Sequence, residues 1–208
     1  MQVEYIDHMG DDLSVVNAAR VSFGKHKEFF DKSDAKLIHY LAKHNHKSPF
    51  NHAFATFHVK APIFVARQLQ KHEYMPWNEI SRRYVDSEPE FYEPEYWRGR
   101  SADKKQGSDG EVNLSSKGNA ASHSYLHALQ SYATLLDEGV APEQARMVLP
   151  QSMYTEWYWS GTLYSFAKMC NLRLSSDTQK ETREVAQQIS TEMNRLFPIS
   201  WEALYDIV

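Results

Sequence analysis

A chain of 208 residues is long enough to bury a proper core, and 42% hydrophobic against 24% charged residues is the balance of a soluble globular protein. A net charge of −4 excludes a globally basic nucleic-acid binder, and one cysteine excludes an internal disulfide, which suits a reducing compartment. No segment has the apolar length of a signal peptide or membrane span. The chain therefore reads as a cytoplasmic protein, one domain over residues 1–208, with no membrane or nucleic-acid partner.

In chain order, Gln2–Ile6 reads as a short strand. Asp11 or Asp12 caps a helix through Ala19, with Leu13, Val16 and Ala19 on one stripe. Ser33-Asp34 caps a second helix, in which Leu37, Ile38, Leu41 and Ala42 recur at helical spacing. Phe54–Lys60 alternates with period two and reads as a strand. Pro62 suits the first position of a helix that continues through Ile63–Gln70. From Asp86 to Gly118 little can be read, and Ser101–Gly110, rich in Lys, Asp, Gly and Ser, is expected to be an exposed loop. A long helix is expected over Ser122–Glu138 with Gly139 as its stop, and another opens at Pro142. Met153–Trp159 fits a buried strand and Leu163–Leu172 a short helix. Ser176 or Asp177 caps a helix to Leu196, ended by Pro198, and a last helical turn reaches Val208. Helices dominate over a few strands, so the class is α+β with a small antiparallel sheet.

The chemistry concentrates in Arg67–Tyr84. These eighteen residues hold three Arg, one Lys, one His, two Glu, one Ser and one Asn, crowded around Pro76. Pro76 breaks a helix and pushes Met75 toward extended backbone. Hydroxyl, guanidinium and carboxylate groups on an irregular segment suit a polar, anionic ligand better than a core. Five histidines, His39, His44, His46, His52 and His58, fall close together, but no cysteine or carboxylate joins them at ligand spacing, so no metal is expected. Arg82, Arg83, Arg98 and Arg100 near Tyr84, Tyr96 and Trp97 have the make-up of a single-strand binder, but Glu88, Glu90, Glu93 and Glu95 oppose it. Cys170, on a helix, reads as a small buried thiol. The aromatic run Tyr154, Trp157, Tyr158, Trp159 reads as core.

The frame Arg67-Gln68, Asn78-Glu79, Ser81, Arg83-Tyr84 resembles the signature of the flavin-dependent thymidylate synthases. So do Ala18-Ala19-Arg20-Val21-Ser22-Phe23, Pro49-Phe50, Phe57–Gln68, Ala145–Pro150, Tyr154-Thr155 and Asn171-Leu172-Arg173, in the family's order. The resemblance implies that family's own α+β fold and a homotetramer with active sites shared between subunits. It implies FAD as cofactor, with NADPH and methylenetetrahydrofolate as co-substrates. The folate supplies a carbon, C5 of dUMP receives it, and dTMP is formed. No glycine-rich dinucleotide motif is expected, and none occurs among the 8 glycines.

Carried over by position, Gln68, Lys71, Glu79, Ser81, Arg82, Arg83, Arg146 and Arg173 are implied dUMP contacts. Arg173 and Ser81 are the implied catalytic residues. Arg173 polarises the uracil ring and favours loss of its N3 proton, which enriches C5, so no enzyme nucleophile is needed. Ser81 binds rather than attacks, because a serine nucleophile needs an adjacent base. The implied flavin contacts are Ser22, Ser48, Lys71, His72, Glu73, Glu79, Thr162, Tyr164 and Lys168, with His46 nearby.

The flavin side departs from the family. Its Arg-His-Arg is Lys71-His72-Glu73 here, Pro76 replaces a small hydroxyl residue, and Asn51, Thr162 and Tyr164 replace Glu, Asn and Arg. A carboxylate touching a pyrophosphate would be repelled by about 4 kcal/mol at an effective dielectric near 20. Arg82 and Lys168 are the candidate compensating cations. Two other outcomes follow from this drift: flavin-dependent hydroxymethylation of a deoxypyrimidine monophosphate, or nucleotide binding without catalysis.

Overall fold

The computed structural model describes residues 1–85, 87–102, 107–114 and 120–205. Its elements run β1 (Gln2–Met9), α1 (Asp12–Arg20), α2 (Lys32–Lys43), β2 (Phe54–Pro62), α3 (Ile63–Leu69), β3 (Trp77–Glu79), β4 (Arg98–Arg100) and β5 (Ser108–Glu111). They continue α4 (Ala120–Asp137), α5 (Pro142–Ala145), β6 (Tyr154–Thr162), α6 (Leu163–Arg173), α7 (Lys180–Leu196) and α8 (Pro198–Tyr205). Short 3-10 turns occupy Val21–Phe23, Ser48–His52 and Arg146–Val148.

Period-two alternation builds the sheet. Ala55, Phe57, Val59 and Ala61 of β2 and Thr155, Trp157, Trp159 and Gly161 of β6 point inward and are buried. β2 and β6 pair antiparallel at the centre, Phe54 opposite Thr162 and Pro62 opposite Tyr154. β1 and β3 form the edges, giving the order β1-β2-β6-β3. The outer face is polar and half-exposed: Thr56 bonds Ser160 at 2.9 Å, and His58 stacks on Tyr158. α3, α6 and α7 pack on the inner face. Val185, Ala186, Ile189 and Met193 of α7 and Leu163, Phe166, Ala167 and Cys170 of α6 bury at helical spacing there. This is the α+β arrangement with a small antiparallel sheet that the composition suggested.

Helix starts shift slightly at α3, where Pro62 closes β2 and is the N-cap, and at α4, which opens at Ala120; they differ in their caps at α2 and α7. α2 is capped by Asp31, whose carboxylate accepts from Ser33 N and Asp34 N, so Ser33 and Asp34 lie inside the first turn. Asp34 is drawn inward, fully buried, to take Arg20 and Lys27. α7 starts at Lys180 behind Gln179, not at Ser176 or Asp177, because Ser175–Thr178 closes a turn of its own through Thr178 N to Ser175 O. In the stretch from which little could be read, β4 and β5 pair across Gly99 and Asp109, and β5 enters the end of the expected loop at Ser108. Residues 103–106, in the same loop, lie outside the described residues, as do 206–208 of the last helical turn.

The hairpin is tied to α7 by charge. Arg98 Nη2 reaches both oxygens of the buried Glu181 at 2.8 and 2.7 Å, and Tyr92 O–H donates to it at 3.1 Å. Burial pushes the Glu181 carboxyl up, but the bonds and charge of Arg98, with Tyr92, outweigh it and hold the group below the ordinary value. A depressed carboxyl stabilises above its unfolded pKa, about 4.3, and that contribution fades as pH falls through the folded value. Glu181→Gln is therefore expected to lose about 3 kcal/mol at neutral pH. The gap to wild type, read by urea unfolding, should narrow below about pH 4.

Candidate functional site

α3 ends at Leu69, and residues Gln70–Tyr74 form a turn before Pro76 is reached. The turn, rather than Pro76, stops the helix. Tyr74 sits at φ +60°, a left-handed conformation that costs a bulky residue about 1–3 kcal/mol. Met75 then tucks under Gly161, where an added Cβ would stand 2.8 Å from the Met75 Cε. Pro76 accepts from Ser160 N at 3.0 Å and leads into the edge strand β3, where its missing N–H costs nothing.

This turn delivers Lys71 and His72 to the C-terminal end of α6. Arg173 lies in the last turn of α6 and is fixed twice: Nη2 donates to Gln68 O at 2.7 Å and Nε donates to His72 Nε2 at 3.1 Å. Accepting at Nε2 requires a neutral imidazole with its proton on Nδ1. Burial, then the Arg173 and Lys168 charges, push the His72 pKa down to about 4, which keeps it neutral. Burial also lowers the Arg173 pKa, but a guanidinium stays charged. Gln68 Nε2 donates to Gln179 Oε1 at 2.6 Å. Gln68, Lys71, His72, Lys168, Arg173 and Gln179 line a cleft of about 890 Å³.

Two further cavities continue it. A narrow, mainly apolar slot of about 160 Å³ shares Lys168 and Asn171 with the cleft and is walled by Leu41, Phe50 and Tyr164. A second cleft of about 790 Å³ shares Leu41, His46 and Lys47 with the slot and carries Arg20, Ser22, Phe23, Tyr40 and Ser48. The result is one trench from Ser22 and Ser48, past Tyr164, to Arg173. Lys47, Lys71 and Lys168 line it without an ion pair or side-chain hydrogen bond among the described residues. In a chain of net charge −4, that local excess of free cations suits an anionic ligand.

Other expected site residues lie elsewhere. Glu79 on β3 is engaged by Thr155 Oγ1 at 2.6 Å and Trp77 Nε1 at 3.0 Å. Ser81 caps its own turn, accepting from Arg83 N at 3.3 Å, and has no base within hydrogen-bond reach among the described residues. Arg83 faces the Glu143 carboxylate at 3.6 Å, and Arg146 donates to the Glu143 carbonyl at 3.2 Å, so one residue of α5 brings both guanidiniums together. Glu79, Ser81, Arg82, Arg83 and Arg146 do not line the trench. Nor does Glu73, which is exposed and pairs with neither Arg82 nor Lys168: Arg82 donates instead to the Ser87 carbonyl. Thr162 caps α6 through Ser165 N and donates to Asn51 Oδ1 at 2.7 Å, so two positions that depart from the family pair with each other. Among the described residues no three of His, Cys, Asp and Glu gather as a metal site.

Cys170 is fully buried, burial pushes its thiol pKa far up, and its S–H points to Ala186 O at 3.5 Å. It is not a nucleophile for this trench. Arg98, engaged by Glu181, is unavailable for nucleic acid. The trench residues that the sequence reading did not assign to the site include Arg20, Lys47, Asn171 and Gln179. Arg20 and Asn171 sat inside matched segments and offered a signal. Gln179 offered none, since its partner Gln68 is 111 residues away.

Comparison with known proteins gives the family. Residues 4–199 match the family model described as thymidylate synthase complementing protein. The flavin-dependent thymidylate synthase of Thermus thermophilus is 42% identical over 201 residues, 97% of this chain and 74% of the relative. That of Thermosipho africanus is 41% identical over 201 residues, 95% and 88%. A crystal structure of the UMP/dUMP methylase PolB from Streptomyces cacaoi bound with 5-Br dUMP superposes with a TM-score of 0.89 at 34% identity, covering 99% of this chain and 95% of that one. With the matched order of segments and the shared fold, this chain belongs to the flavin-dependent thymidylate synthase family.

Proposed function

We propose that this protein transfers the methylene carbon of methylenetetrahydrofolate to C5 of dUMP and, with FAD and NADPH, forms dTMP. The observation that carries the reading is Arg173, pinned by Gln68 and His72 with Nη1 unpartnered among the described residues, at the wall of a cleft lined with free cations. A guanidinium held this way meets the uracil carbonyls with no reorganisation. It draws electron density to the carbonyl oxygen, favours loss of the N3 proton and leaves C5 able to attack the methylene carbon. Cys170 takes no part.

The trench fits FAD by its donor set. The Ser22 and Ser48 hydroxyls, the Lys71 and Lys168 ammonium groups, His72 and the Tyr164 ring would hold it. When bound, FAD accepts a hydride from NADPH and supplies it for reduction of the transferred carbon. Neutral His72 keeps its Nδ1–H as a donor, and the apolar wall of the slot excludes water.

The remaining dUMP contacts come from a second subunit in this reading. Within one chain Ser81, Arg83 and Arg146 stand apart from Arg173, yet Phe23, Tyr84 and Met147 are each more than three-quarters exposed. α4 buries only Tyr132 among its residues and leaves Leu126 half-exposed. A homotetramer would cover these apolar groups and bring Ser81, Arg82, Arg83 and Arg146, with Glu79 and Glu73, to a neighbour's trench. The protein acts in the cytoplasm as one domain; no described helix is long and apolar enough to cross a membrane.

The test is product analysis with dUMP, methylenetetrahydrofolate, NADPH and FAD, with UMP run alongside to read the sugar preference. dTMP with stoichiometric NADPH oxidation is expected. Hydroxymethylated nucleotide alone would overturn the reductive step while keeping the substrate. Binding of dUMP without turnover or flavin absorbance would leave only a nucleotide-binding protein.

A further inference from the structure

By the resemblance, Lys71, Glu73 and Tyr164 stand where arginines are expected, so no guanidinium is present at these three positions. The structure puts other cations nearby. Lys47 and Lys168 both line the slot walled by Tyr164. Both are exposed, and neither has a carboxylate partner or hydrogen bond among the described residues. The Lys47 ammonium lies 5.5 Å from the Tyr164 ring centroid, within cation–π range. Lys47 also lines the Ser22–Ser48 cleft, and Lys168 also lines the Arg173 cleft. The two lysines are therefore the cations shared at the two junctions of the trench.

We propose that Lys47 and Lys168, with the Tyr164 ring between the two junctions, form a two-ammonium clamp for the diphosphate of the flavin cofactor. By the resemblance, it stands in for guanidiniums expected at the positions of Glu73 and Tyr164. The proposal rests on the flavin reading above and assigns to Lys47 a role that the signature does not.

The physical case has three parts. An unpaired ammonium lining a cleft is free to meet a phosphate without first breaking an ion pair. The Tyr164 face restrains the Lys47 side chain, so less rotamer freedom is lost on binding. Tyr164 thus orients a cation instead of being one. Finally, the slot is too apolar for the diphosphate itself, which leaves the phosphates to the clefts on either side, where the two lysines also line the walls.

The test is titration of flavin-free protein, followed by flavin fluorescence, with FAD and with riboflavin, which has no phosphate. Lys47→Ala and Lys168→Ala should each weaken FAD about tenfold, and together about a hundredfold. Riboflavin affinity should stay unchanged. Tyr164→Arg placed in Lys47→Ala should recover FAD affinity. Unchanged FAD affinity, or equal losses for FAD and riboflavin, would overturn the clamp and leave the flavin reading standing. Wild-type protein that binds neither flavin would end both. Thermal unfolding checks that the variants fold, and Lys→Gln versions carry the same test where an alanine variant does not.

Discussion

Arg173→Ala is expected to lower kcat by about three orders of magnitude while dUMP affinity changes far less. The side chain is held by two acceptors, Gln68 O and His72 Nε2, and a truncated residue leaves both without their donor. The uracil ring then loses the charge that stabilises its N3-deprotonated form, and C5 is no longer enriched. Steady-state kinetics separates this from a binding defect: kcat should fall with KM nearly constant. Cys170→Ser is the matched control. Its thiol is buried and protonated, so turnover should stay close to wild type in protein that remains folded. A cysteine variant that folds but loses turnover would mean that carbon transfer passes through a covalent enzyme bond, and the role given to Arg173 would fall.

Trp157→Ala should cost about 4 kcal/mol of stability, read by urea unfolding. Trp157 is 1% exposed and stacks on Trp77 with centroids 4.2 Å apart and planes 17° from parallel. It lies at the centre of β6, opposite Val59 on one side and Glu79 on the other. Removing it opens a cavity and releases the edge strand β3, which leads to Ser81, Arg82 and Arg83. Loosening that segment should also raise KM for dUMP. Trp157→Phe should cost less than about 1.5 kcal/mol, because it keeps a ring and removes an indole N–H that finds no partner among the described residues. Equal losses for the two variants would mean that the stack on Trp77 contributes little.

Much of this was legible in the chain. The alternation of Phe54–Lys60 marked a half-buried strand because side chains on a pleat face opposite ways. The apolar spacing of Leu163–Leu172 marked a helix for the corresponding reason. Boundary errors at Ser33 and Ser176 came from competing caps: Asp31 outbid its neighbours for α2, and Ser175 and Asp177 folded into a turn of their own. The hairpin of β4 and β5 was hidden because its strands are short, polar and exposed, with no apolar face to declare them.

The chain alone determined the family, the long strands and the main helices, and it named candidate groups for gripping a nucleotide, since these rest on residue type and spacing along one dimension. Tertiary structure decided which of those groups meet. Arg173 joins His72 across 101 residues, and Gln68 joins Gln179 across 111. Arg83 and Arg146 meet at Glu143 instead, with Ser81 capping the turn that carries Arg83, and none of the three lines the Arg173 cleft. A hydrogen bond depends on distances of about 3 Å in space, and separation along the chain carries no record of that distance.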